Sequence, residues 1–288
     1  YSKLTDATAR SGGCMKTKTM ILISLLFLLT CQQSEKPDST KGYLLMVGGR
    51  KKPSAAIEKF IDLCGNEFIL IITSASGFPH ESGPAAVELF KEHGVTNVDW
   101  IHIASTDSAN ADQVVETIRK ARGIFFTGGV QGRLMNRLRG TRAEKEILSL
   151  YFEKKSVIGG TSAGAAVQSE VMITGDGDFT VLDKKNIVTE PGFGFLKNCI
   201  VDQHFVARRR NNRLLSLVIE KKLPGIGIDE STAIFYHPND TFDVYGQGSV
   251  LVYDPRKASI PVEPEVNKLS AEHLRLSVLH DGQSFDMK

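Results

Sequence analysis

The chain has 288 residues, of which 41% are hydrophobic and 24% charged, with a formal charge of +2 at pH 7. Such values belong to a globular chain long enough to bury a substantial core. They give no electrostatic ground for a nucleic-acid partner or for charge-driven attachment to an anionic membrane.

The N-terminal stretch from Met15 reads MKTKTMILISLLFLLTCQQSEKPDS. Lys16 and Lys18 precede an apolar run from Met20 to Leu29, the basic and apolar regions of a secretory signal, too short for a spanning helix. Leu28-Leu29-Thr30-Cys31 resembles a bacterial lipobox, although Thr30 stands where Gly, Ala or Ser is usual, and Cys31 is the expected lipidation site. The expected organisation is upstream sequence over 1–14, signal peptide over 15–31, polar tether over 32–42 and one folded domain over 43–288. Export and a lipid anchor at the cell surface or in the periplasm follow. Cys64 and Cys199 remain; in an exported domain they could pair, but neither has metal-ligand spacing, and both read as small buried hydrophobes.

From Tyr43 strands and helices alternate. A strand over Tyr43–Val47 ends in Gly48-Gly49, and Ala55–Cys64 has helical spacing. Then come a strand (Phe68–Thr73), a helix (Ala85–His93), a strand (Val98–Ile103), a helix (Asp112–Ala121) and a strand (Gly123–Phe126) that breaks at Gly128-Gly129. Helices over Gly132–Leu138 and Ala143–Lys154 lead to the strand Ser156–Ile158. Strands separated by helices predict βαβ crossovers and a mostly parallel sheet covered on both faces. Five shorter strands follow: Cys199–Asp202, Gly225–Ile228, Ala233–Tyr236, Thr241–Tyr245 and Ser249–Tyr253. They are expected to add antiparallel strands to that one sheet.

Gly160-Thr161-Ser162-Ala163-Gly164 fits G-x-S-x-G at the predicted strand-to-helix junction. There a sharp turn holds a serine in a strained, exposed conformation, with the following helix N-terminus ready to stabilise an oxyanion. Such a serine needs a base and an orienting acid. Of the seven histidines, His204 stands out, because it ends the apolar strand Cys199–Gln203 at the edge where α/β sheets carry their chemistry. The strand Gly225–Ile228 ends in Asp229-Glu230, two carboxylates of which either can serve as the acid. Arg208, Arg210 and Arg213 follow His204 within ten residues and suit carboxylate recognition.

These motifs, taken in order, resemble the cyanophycinase family of serine peptidases (family S51), which includes aspartyl dipeptidases. The matching stretches are Thr73–Gly77, Phe125–Gln131, Gly160–Ala166, Val201–Phe205 with the arginines after it, and Gly225–Ala233. The resemblance spans roughly residues 43–254, and Leu274–Met287 is similar to the family's closing β-hairpin. It implies a class I glutamine amidotransferase-like α/β fold, a three-layer sandwich around a mostly parallel central sheet, working without metal or cofactor. It also implies Ser162 as nucleophile, His204 as base and Glu230 as acid, with Asp229 the alternative. The implied oxyanion hole is Gly128, Gly129 and Ala163, and the implied substrate pocket is Gln131, Asp202, Gln203, Arg208, Arg210 and Arg213. Some family members cut cyanophycin, a poly-aspartate whose side chains each carry arginine, into β-Asp-Arg dipeptides. The expected partners are therefore an Asp/Arg-rich peptide and a second copy of the chain, with membrane contact only through the lipid. Val130 and Arg209 depart from the family's usual Asp and Gly. An aspartyl or isoaspartyl dipeptidase and a non-catalytic binding lipoprotein are the competing readings.

Overall fold

The computed structural model describes residues 41–261 and 266–288. The upstream stretch 1–14, the signal peptide, the lipidation site at Cys31 and the tether up to Thr40 lie outside the described residues.

The first half alternates as β1 (Tyr43–Val47), α1 (Ser54–Cys64), β2 (Ile69–Ile72), α2 (Pro79–Glu92), β3 (Val98–Ile101), a single turn α3 (Thr106–Ala109), α4 (Asp112–Arg119) and β4 (Gly123–Phe126). It continues with α5 (Gln131–Leu138), α6 (Arg142–Phe152), β5 (Val157–Thr161) and a four-residue α7 (Ala163–Ala166). The second half holds a small ribbon of β6 (Val171–Ile173) and β7 (Thr189–Pro191), then β8 (Ile200–Gln203), α8 (Asn211–Lys221) and β9 (Gly225–Ile228). It closes with β10 (Thr232–Tyr236), β11 (Thr241–Gly246), β12 (Val250–Asp254), β13 (Arg275–Leu279) and β14 (Ser284–Asp286).

The main sheet has the order β14-β11-β10-β1-β5-β4-β2-β3. Its β1-β5-β4-β2-β3 portion is parallel, and β10, β11 and β14 extend it antiparallel. Period-two alternation sorts its side chains between two layers. Leu45 and Val47 of β1 point with Ile69, Ile71 and Phe125 toward Ile57 and Phe60 of α1 and Phe90 of α2. Leu44 and Met46 point the other way, with Ile72, Phe126 and Ile158, against α4 to α7 and the second half of the chain. The result is the expected three-layer α/β sandwich.

Two expectations are corrected. The strands after residue 187 do not all join one sheet: β8, β9, β12 and β13 form a second, four-stranded sheet in the order β13-β12-β9-β8. The reason is α8, whose buried Leu214, Leu217 and Val218 pack on Ile200 of β8, so that β8-α8-β9 is a crossover with parallel strands. The C-terminal segment is not a hairpin either. β13 pairs with β12 in the second sheet and β14 with β11 in the first, so the segment ties the two sheets together.

Candidate active site

The carboxyl ends of β1, β2, β4 and β5 lie along one edge of the main sheet, and the loops leaving them meet there. At the end of β5, Ser162 has φ 53° and ψ −111°, a conformation L residues rarely adopt. The turn closes only because its neighbours are small. A Cβ on Gly160 would stand 2.2 Å from the Gly164 carbonyl oxygen, and one on Gly164 would stand 2.3 Å from that of Phe126. The following helix is a single turn, so its dipole is small and any oxyanion stabilisation falls to individual N–H groups.

The register of β8 on β9 sets Gln203 opposite Ile228, so the next residues of both strands emerge at one edge. His204 Nε2 lies 2.9 Å from Ser162 Oγ, and its Nδ1 lies 2.7 Å from Glu230 Oε1. An ionised carboxylate only accepts, so Nδ1 carries the ring proton and Nε2 is left to accept from the serine hydroxyl. Asp229 does not compete for this place. Its carboxylate accepts the Ala207 N–H at 2.9 Å and so pins the turn that follows His204.

A short stretch of backbone organises all three groups. The Val47 carbonyl accepts the Ser162 N–H at 2.9 Å, that of Gly48 accepts the His204 N–H at 2.8 Å, and that of Gly49 accepts the Ser231 N–H at 2.8 Å. Gly49 also makes room for the base, since a Cβ there would stand 2.1 Å from His204 Cε1. On the other flank, a Cβ on Gly128 would reach within 3.5 Å of Ser162 Cβ, which places the Gly128-Gly129 turn beside the serine. That turn is anchored by Val130 N–H donating to Ala75 O at 3.0 Å. Ala163 follows the serine directly and is fully buried.

The electrostatics favour a base ready to act at neutral pH. Burial is the main influence holding the His204 imidazole below its ordinary value; the Arg208 and Arg210 charges push the same way, and Glu230 opposes them. Glu230 is held below the usual carboxylate range, chiefly by its hydrogen bond to His204 and further by Arg50.

The remaining pocket residues do different things. Arg213 and Asp202 are each 1% exposed and bound to each other, Arg213 Nε donating to Asp202 Oδ2 at 2.6 Å and Nη2 to Oδ1. Both were expected to line the substrate pocket, but in this geometry each spends its charge on the other and has no free face for a ligand. Arg210, half-buried, donates to the backbone and side-chain oxygens of Gln203, and burial with the neighbouring Arg213 lowers it to about 10. Gln131 is buried and spends its amide N–H groups on the carbonyls of Ile173 and Thr174, at 2.8 and 2.6 Å. Arg208 is exposed and, among the described residues, makes no ion pair or hydrogen bond through its side chain.

Residues 44–244 match the profile of peptidase family S51. The chain belongs to this family. It is 33% identical over 258 residues to the cyanophycinase of Synechococcus elongatus, which covers 86% of this chain and 80% of that one. It is 32% identical over 260 residues to the cyanophycinase of Nostoc sp., 87% of each chain being covered. Among solved structures it is similar to a peptidase from an acI-B1 Actinobacterium, at 21% identity and a TM-score of 0.62, over 86% of this chain and 97% of that one. That likeness supports the fold. The S51 membership makes the chain a serine-type peptidase.

The part of this S51 site that sequence motifs do not point to is the Val47–Gly49 spine. Its signal is present: Gly48-Gly49 ends a parallel strand at the same sheet edge as Gly128-Gly129 and the Ser162 turn. A glycine pair there marks a close backbone approach in each case, but only the structure shows that His204 is what approaches Gly49.

Proposed function

We propose that this peptidase hydrolyses aspartyl peptides, with cyanophycin as the first substrate to test and β-Asp-Arg dipeptides as its product. The observation that carries the mechanism is the unbroken chain of hydrogen bonds from Ser162 Oγ through His204 to Glu230. Ser162 Oγ attacks the substrate carbonyl carbon while its proton passes to His204 Nε2. Glu230 stabilises the imidazolium and keeps its ring in place. The Ala163 N–H and an N–H of the Gly128-Gly129 turn receive the developing oxyanion. Imidazolium then returns the proton to the leaving amine as the C–N bond breaks, leaving an ester on Ser162. Water, deprotonated by His204, attacks that ester and releases the free acid and the serine.

The substrate class rests on the relatives that carry the name cyanophycinase and on Arg208, an uncommitted guanidinium beside the base. A single open arginine also suits a short aspartyl or isoaspartyl peptide, because Arg213 is already neutralised by Asp202. Incubating the protein with cyanophycin and a panel of α- and β-aspartyl dipeptides separates these substrates. Release of β-Asp-Arg from the polymer supports the first reading. Cleavage of dipeptides alone replaces it with the second, and cleavage of neither with intact serine labelling removes both. We further propose export and lipid attachment at Cys31, from the basic and apolar leader before it. Cys31→Ser should release the protein from membranes; an unprocessed wild-type chain in the cytoplasm contradicts this.

A further inference from the structure

The backbone that ties the site together runs into a side chain that touches the proposed acid. Val47, Gly48 and Gly49 offer their carbonyls in turn to Ser162, His204 and Ser231, and the next residue, Arg50, sets its Nε on Glu230 Oε2. Glu230 thereby has each oxygen engaged, Oε1 by His204 and Oε2 by Arg50. Arg50 achieves this at a backbone cost, with φ 58°. Among the described residues ten non-glycine positions have positive φ, and four of them are Arg50, Ser162, His204 and Ser231. Strain of that kind persists where surrounding structure over-determines it. Here it is concentrated on the serine, the base, the neighbour of the acid, and Arg50.

We propose that Arg50 is a positioning residue of this site: it fixes the orientation of the Glu230 carboxylate and tunes the protonation of the His204–Glu230 pair. The proposal rests on the reading of Ser162, His204 and Glu230 given above. A carboxylate free to turn about its last bond offers His204 a changing target; one held at Oε2 keeps Oε1 aimed at Nδ1. The charge acts as well. Arg50 and Arg208 favour the ionised carboxylate of Glu230, while Arg208 and Arg210 favour the neutral imidazole of His204; Arg50, by offsetting the Glu230 charge, also weakens that carboxylate's hold on a proton at His204. Removing Arg50 therefore raises the pH at which His204 becomes a free base. The pair is solvent-exposed on the Arg50 side, so the effect is modest and weakened by salt.

The test uses the full chain and follows the rate of fluorophosphonate labelling of the serine against pH for wild type, Arg50→Gln and Arg50→Lys. Labelling does not depend on which peptide is the substrate, so a wrong substrate leaves the test intact. In Arg50→Gln the acid limb should move to higher pH by about half a unit, a two- to fivefold slower reaction below the limb, and the plateau should also fall severalfold as the carboxylate loses its fixed orientation. Arg50→Lys should recover most of that shift, and 1 M salt should bring the wild-type limb toward that of Arg50→Gln. A profile for Arg50→Gln that superimposes on wild type overturns the proposal. So does an equal loss at every pH in both variants, which marks a packing role only. Absence of labelling in the wild type overturns the triad reading, and Arg50's role with it.

Discussion

Arg213 grips Asp202 with two donors, Nε on Oδ2 at 2.6 Å and Nη2 on Oδ1, and both residues are sealed from solvent. Phe179 covers the guanidinium, 5.2 Å from its ring centroid. The pair joins α8 to β8, one residue from the strand end that presents His204. Removing Arg213 leaves the buried Asp202 carboxylate with only the more distant Arg210, at 3.7 Å, and the Gln203 N–H. Arg213→Met should therefore cost about 3–5 kcal/mol of stability. Denaturant unfolding measures it. Unchanged stability with a selective loss of aspartyl substrates would return Arg213 to the substrate pocket.

Arg208 is the contrasting case, exposed and uncommitted. Arg208→Met should leave the unfolding midpoint near wild type. It should lower kcat/KM for aspartyl peptides by about ten- to a hundredfold, the worth of one charge-assisted hydrogen bond. A small neutral ester acylating the same serine should lose much less. Equal losses on both substrates would contradict carboxylate recognition by this residue.

The pH profile carries the sign of the electrostatics. Burial and the nearby arginines hold His204 below its ordinary value, so the acid limb of kcat/KM should lie below the pH at which a free imidazole titrates. Glu230 works against that lowering. Glu230→Gln should therefore move the limb to still lower pH while the plateau falls by about a thousandfold or more. A limb that moves upward instead would mean that Glu230 does not face the base in solution.

The main sheet was legible because hydrophobic runs alternating with helical spacing have few other solutions, and Gly123–Phe126 and Gly225–Ile228 match their strands residue for residue. The Ser162 turn and His204 could be read for a related reason: tight turns and strand ends restrict which residues fit. The second sheet was hidden because α8 sits among the arginines, where charge obscures the Leu214, Leu217 and Val218 stripe. Arg213 and Asp202 were misjudged because sequence shows a charge but not its partner. An Arg eleven residues after an Asp near a strand end looks the same whether it faces solvent or closes back upon it.

The two cysteines provide a further check on the core. Cys64 and Cys199 are free and buried, and burial pushes both thiols up to about 12. Native protein at pH 8 should leave both unmodified by iodoacetamide, and denaturant should expose both, as peptide mapping would show. Rapid alkylation of either in the native state would contradict the packing of α1 on the sheet or of the segment leading into β8.

The most direct measurement of the catalytic reading is fluorophosphonate labelling with the adduct mapped by mass spectrometry. Wild type should carry one adduct, on Ser162. Ser162→Ala should carry none and lose peptide hydrolysis by about a thousandfold or more, and His204→Ala should label far more slowly, both with native unfolding curves. An adduct at another residue, or undiminished hydrolysis by Ser162→Ala, would contradict the assignment of the nucleophile.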